Sequence, residues 1–134
     1  MPVNQRFLAS RNATWAPTLI YDYEGAALPL TGAAIAMELR LYPGQAGAAN
    51  LRLANIPFSD ALVSGAPGSA DERRRLSLLP FATSAQLSVL PGLHAPELGE
   101  PFPFAFDILI TYADGLSEIL SSGTFVLSPG VTTT

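Results

Sequence analysis

Phe102-Pro103-Phe104-Ala105-Phe106-Asp107-Ile108-Leu109-Ile110-Thr111-Tyr112 runs into Ala113-Asp114-Gly115, and Leu116 to Leu127 follows. Phe102, Phe104, Phe106, Ile108, Ile110 and Tyr112 share one parity, with Pro103, Ala105, Asp107 and Thr111 opposite. A period of two is the mark of a strand with one face on a core. Two such runs around Asp-Gly predict a β-hairpin, because Gly takes the positive φ that the turn needs. Gly123 interrupts the parity of the second run and is the expected site of a β-bulge.

Working back along the chain, Ala34 to Tyr42 alternates again: Ile35, Met37, Leu39 and Leu41 against Glu38 and Arg40, ended by Pro43-Gly44. Trp15 to Tyr23 is rich in aromatic and β-branched residues and closes on the turn Glu24-Gly25. Asn50 to Ile56 is a shorter strand, and Arg74, Leu76 and Leu78 form another before Pro80. Thr83 to Leu90 suits one or two helical turns, capped by Thr83 or Ser84 and stopped by Pro91-Gly92. Asp60 to Asp71, full of Ser, Gly and Ala around Pro67, is expected to be a loop. The fold expected is all-β: an antiparallel immunoglobulin-like β-sandwich of about seven or eight strands with at most one short helix. Residues 1–134 form one domain, with a short flexible N-terminal segment at 1–6 and a C-terminal tail at 129–134. The expected core is Leu19, Tyr21, Ile35, Met37, Leu39, Leu41, Leu76, Leu78, Phe104, Phe106, Ile108, Ile110 and Phe125.

Composition narrows the function. Charged residues are 13% of the 134, against about 25% in ordinary soluble domains, and all seven cations are Arg. Hydrophobic residues are 49%, which excludes a disordered chain. The net charge of −4 argues against nucleic acid as a partner. The absence of Cys removes disulfides and thiolate chemistry. No basic segment leads into a long apolar run, and Leu76 to Pro96 is broken by Pro80 and Pro91, so no membrane partner is expected.

Candidate chemistry is sparse. His94 alone, in a Pro-Gly turn, is a poor base for a triad and a poor zinc set. Asp22 with Glu24, Asp71 with Glu72, and Glu97 with Glu100 are the possible carboxylate pairs, read as solvated strand ends and loops. Arg73-Arg74-Arg75 is read as a charged sheet edge rather than a phosphate site. Trp15 and Tyr42 are the aromatics a glycan-binding surface would use, whereas Phe102, Phe104 and Phe106 belong to the core. No catalytic, cofactor-binding or metal-binding residue is therefore assigned, no cofactor is expected, and the chain is expected not to be an enzyme.

The order of features carries a resemblance. Leu30-Thr31-Gly32 opens a strand, Leu90-Pro91-Gly92 precedes the penultimate one, and Leu120-Ser121-Ser122-Gly123-Thr124-Phe125 leads to Val131-Thr132. This layout, over about residues 15 to 132, resembles small β-sandwich proteins of bacteriophage and prophage tails and baseplates, including the N-terminal domain of baseplate upper proteins. The aromatic that follows Pro-Gly in that pattern is missing here, and Leu93 to Phe104 has the look of an insertion. The resemblance implies a virion structural protein, assembled in the host cytoplasm, acting as a tail, baseplate or fibre adaptor or assembly module. Its partners would be other virion proteins and further copies of itself. Two alternatives are a capsid decoration or head-fibre anchor, and, from another class, a carbohydrate-binding module for host glycans.

Overall fold

A computed structural model describes residues 3–95 and 97–131. Eight strands and one short helix are found there: β1 (Val3–Ser10), β2 (Leu19–Glu24), β3 (Ala34–Arg40), β4 (Leu51–Leu53), β5 (Phe58–Ser64), β6 (Arg73–Leu78), α1 (Ser84–Ser88), β7 (Phe102–Thr111) and β8 (Ser117–Ser128). They make a five-stranded sheet in the order β1-β8-β7-β3-β4 and a three-stranded sheet in the order β2-β6-β5. One apolar cluster takes residues from both sheets, so the all-β sandwich-like reading holds.

The β7–β8 hairpin turns as its sequence predicts. Gly115 N–H donates to Tyr112 O at 2.9 Å and Tyr112 N–H to Leu116 O at 2.8 Å, while Gly115 sits at φ +88°. That is a three-residue loop with Gly in the left-handed position. The bulge, however, falls between Ile108 and Leu109 and their partners Ser121 and Ile119, so Leu120 is the extra residue. Leu120 and Ser121 are consequently both buried. Gly123 is needed for a different reason: a Cβ there would collide with the Gln5 carbonyl oxygen of β1.

β1 corrects two expectations. Val3 to Arg6, expected to be flexible, form the first half of this strand. Its pairing with β8 is parallel, in unbroken register from Val3↔Ser121 to Ser10↔Ser128, so the sandwich is not wholly antiparallel. Of the expected tail, Pro129 to Val131 lie outside any strand and 132–134 fall outside the described residues.

Twelve of the thirteen expected core residues are buried; Leu41 is not. β3 stops at Arg40, whose guanidinium donates to the carbonyls of Gln45 and Gly47, and Gln45 Oε1 accepts from Leu41 N–H. Those bonds bend residues 41–47 out of the strand and end the alternation. β5 is the other correction, since Phe58 to Ser64 pair with β6 where a loop was expected from Asp60 onward. The helix follows its sequence. Thr83 Oγ1 accepts from Gln86 N–H and Gln86 Oε1 from Thr83 N–H, a reciprocal capping box.

Candidate interaction surface

The residues with catalytic potential are scattered and already engaged. His94 is an exposed loop residue at φ +59° whose Nδ1 accepts from Gly99 N–H at 3.2 Å. Asp22 and Glu24 share the outer face of β2, but each faces an arginine across the sheet. Arg75 Nε lies 2.7 Å from Asp22 Oδ1, and Arg73 Nε lies 3.5 Å from Glu24 Oε1. The Arg75 bond holds the Asp22 carboxyl below its usual range. Asp71 is exposed while Glu72 is buried, and Glu97 and Glu100 are exposed and joined by a backbone bond. Among the described residues, no group of three or more His, Asp and Glu comes together to hold a metal ion, and no helix is long and apolar enough to cross a membrane.

Arg73 to Arg75 are not a sheet edge. β6 is the middle strand of its sheet, and its charges are neutralised by neighbours rather than used to block pairing. Arg74 Nε donates to Asp60 Oδ2 at 2.8 Å and Arg74 Nη1 to Glu72 Oε2 at 2.9 Å. Asp60 Oδ1 also accepts from the Tyr23 hydroxyl at 2.8 Å. Glu72 is held below the usual carboxylate range, first by the Gly68 N–H donating to it at 2.9 Å and then by Arg74. A buried carboxylate needs such partners, and here they pin the 65–72 turn to the sheet.

The aromatics divide. Trp15 is buried at 8% exposure, its ring edge-on to Phe125 at 5.0 Å, while Tyr42 is 59% exposed. Phe104 and Phe106 are core, and Phe102 stacks edge-on against Phe104 at 5.0 Å. Two buried polar residues had no signal in the sequence. Arg11 Nη1 donates to Leu90 O at 2.5 Å and Arg11 Nη2 to Pro91 O at 2.8 Å, so this arginine closes the carbonyl end of the α1 region. Ser121 donates to Gln5 Oε1, which also accepts from the Tyr21 hydroxyl at 2.7 Å.

What the fold leaves uncovered is the outer face of the five-stranded sheet. Arg52, Glu38, Asp107, Ser122 and Asn4 lie side by side across β4, β3, β7, β8 and β1. Ala36, Leu109 and Ile119 flank that polar row on one side; Ala105 and Thr124, with Arg40 and Arg6 at their ends, flank it on the other. Two hollows of about 420 and 270 Å³ open on this face, and Glu38 and Asp107 line both. Glu38 accepts from Arg52 and from Arg40, whose Nη2 is 3.1 Å away, and these bonds pull its carboxyl down. The carboxylate of Asp107, directly opposite, makes no hydrogen bond among the described residues. Burial pushes its carboxyl up, and the Glu38 charge adds to that.

Compared with known proteins, the chain matches no family model and no curated protein sequence.

Proposed function

We propose that this chain is a non-enzymatic structural protein of a bacteriophage or prophage particle, an adaptor or assembly module at the tail, baseplate or fibre. The order of motifs from Trp15 to Val131 supports the particle, and the uncovered outer face of the five-stranded sheet supports the assembly role. That face is the observation that carries the reading. It joins half-buried Ala36, Ala105 and Leu109 to exposed Ile119 and Leu8 on four adjacent strands, with no strand or helix among the described residues laid over it. The carboxylates and the histidine, by contrast, are dispersed or bound to arginines and backbone, which favours contact over catalysis. The glycan-binding alternative loses its larger aromatic, since Trp15 is inside the core.

The test is location. Purified particles carrying the protein should retain it through gradient sedimentation, and antibody labelling should place it on the tail or baseplate. Labelling confined to the capsid would favour the decoration or head-fibre alternative. A protein absent from particles that binds immobilised host glycans would overturn the proposal.

A further inference from the structure

The four sheet edges of this molecule are not alike. β4 has three residues. β5 follows Pro57, breaks register between Leu62 and Ser64, and turns Asp60 toward the core side. β2 carries Asp22 and Glu24. Short strands, bulges, prolines and charges are the devices that keep edges from pairing with other chains. β1 has none of them but one charge: eight residues, no Pro, no Gly, no acid, no bulge, and Arg6 in the middle. Its far side is open. Apart from Ala13 N–H on Ser10 O, no described backbone group outside β8 bonds to it. Its inner row is also unfinished, because Phe7 packs on Trp15 and Phe106, with ring centroids at 5.5 and 4.8 Å, yet stays half-buried.

We infer that β1 of one copy pairs antiparallel with β1 of a second copy about a two-fold axis, joining two five-stranded sheets into one. This inference rests on the assembly reading and names its first contact. A two-fold contact is self-complementary, so a single patch supplies both sides. The register follows from parity and charge. Phe7 and its inward neighbours must oppose inward residues, so the axis passes through a residue, and the longer overlaps centre on Gln5, Arg6, Phe7 or Leu8. Arg6 opposite Arg6 places like charges face to face, which is unfavourable. Leu8 opposite Leu8, like Gln5 opposite Gln5, shortens the overlap. Phe7 opposite Phe7 keeps Asn4 to Ser10 paired, sets Arg6 against the apolar Leu8 of the second copy, and extends the Trp15–Phe7–Phe106 cluster across the axis.

The native chain has no Cys, so disulfides can report the register. Arg6→Cys chains mixed with Leu8→Cys chains should form oxidised dimers. Either variant alone should not, because its thiols then sit on a diagonal of about 7–8 Å. Light scattering should give the wild type twice the chain mass. Leu8 is 67% exposed, so charge placed there spares the fold, which far-UV circular dichroism checks. Leu8→Glu faces Arg6 of the second copy with an acid and Leu8→Lys with a base, and their dimer dissociation constants should differ about tenfold, the acid tighter. Disulfides from Leu8→Cys alone or Arg6→Cys alone, or equal constants for Glu and Lys, would overturn the pairing. A wild-type monomer that still co-sediments with particle components would overturn it while leaving the assembly reading standing; a monomer that binds none would end both.

Discussion

The two sheets place their charges differently. In the five-stranded sheet the inward rows of β3 and β7 are Ile35, Met37, Leu39, Phe104, Phe106, Ile108 and Ile110, all buried and all apolar. In the three-stranded sheet the inward positions include Arg74 and Asp60, and the outer face is crossed by Arg75–Asp22 and Arg73–Glu24. Both sheets gain from removing hydrocarbon from water, Leu19, Tyr21, Leu76 and Leu78 being buried in the smaller one, but only the smaller sets an ion pair among its inward positions. The difference teaches where a chain with 13% charged residues spends them: three of its seven arginines stand consecutively in one central strand.

Several substitutions break or sharpen that contrast. The largest effect is expected from Gly123→Val, whose side chain would meet the Gln5 carbonyl and part β1 from β8; a loss above about 4 kcal/mol in urea unfolding, with β1 amides exchanging freely, is the expected outcome. Leu39→Ala should cost about 2–5 kcal/mol, as for any fully buried leucine. Arg11→Met should cost about 2 kcal/mol and raise exchange at the α1 end, because the carbonyls of Leu90 and Pro91 lose their donor.

Asp107→Asn tests the uncovered face by pH. The Asp107 carboxyl is raised, so its contribution is fully present below the ordinary carboxylate range and lost as pH rises through the raised value. The Asn variant should therefore be more stable than wild type at pH 7, by under about 1 kcal/mol, and equal to it near pH 3. Glu38→Gln should show the opposite sign at pH 7, since arginine bonding lowers that group and its contribution is lost as pH falls. The smallest effect belongs to salt: about 1 M sodium chloride should speed amide exchange slightly in β2 and β6, whose outer face carries two exposed ion pairs, and less in β3 and β7, where only Glu38 pairs with arginines. Equal responses of the two sheets would erase the distinction.

The same contrast decides what can be read before folding. β3 and β7 announce themselves because one parity is greasy and the other is not, and β8 because it follows β7 across Asp114-Gly115. β5 hides because Asp60 shares its parity with Phe58 and Leu62, the last of them exposed, and an acid in the middle of such a row looks like a loop. Arg73 to Arg75 were legible as a strand but not as a central one, since only the fold brings Asp22, Glu24, Asp60 and Glu72 beside them. β1 gives no signal because its inward row contains Gln5, a residue needed by Tyr21 and Ser121 rather than by the core. Of the interaction surface, Glu38 and Arg40 were visible as an outer face, but their juxtaposition with Asp107 is a matter of register. A bulge was expected at Gly123 on parity alone; the parity breaks at Leu120, and Gly123 answers to the strand beside it.

The parallel β1–β8 pair also sets a clock. β1 is the first and β8 the last of the strands among the described residues, yet the two are hydrogen-bonded neighbours. On a ribosome the first strand therefore waits, unpaired, through the synthesis of its whole domain. Contacts so distant in sequence are slow to form, and strands left waiting are the ones that find the wrong partner. Dilution during refolding should then matter to this molecule more than temperature, because at high concentration a waiting β1 meets the β8 of a neighbour as readily as its own.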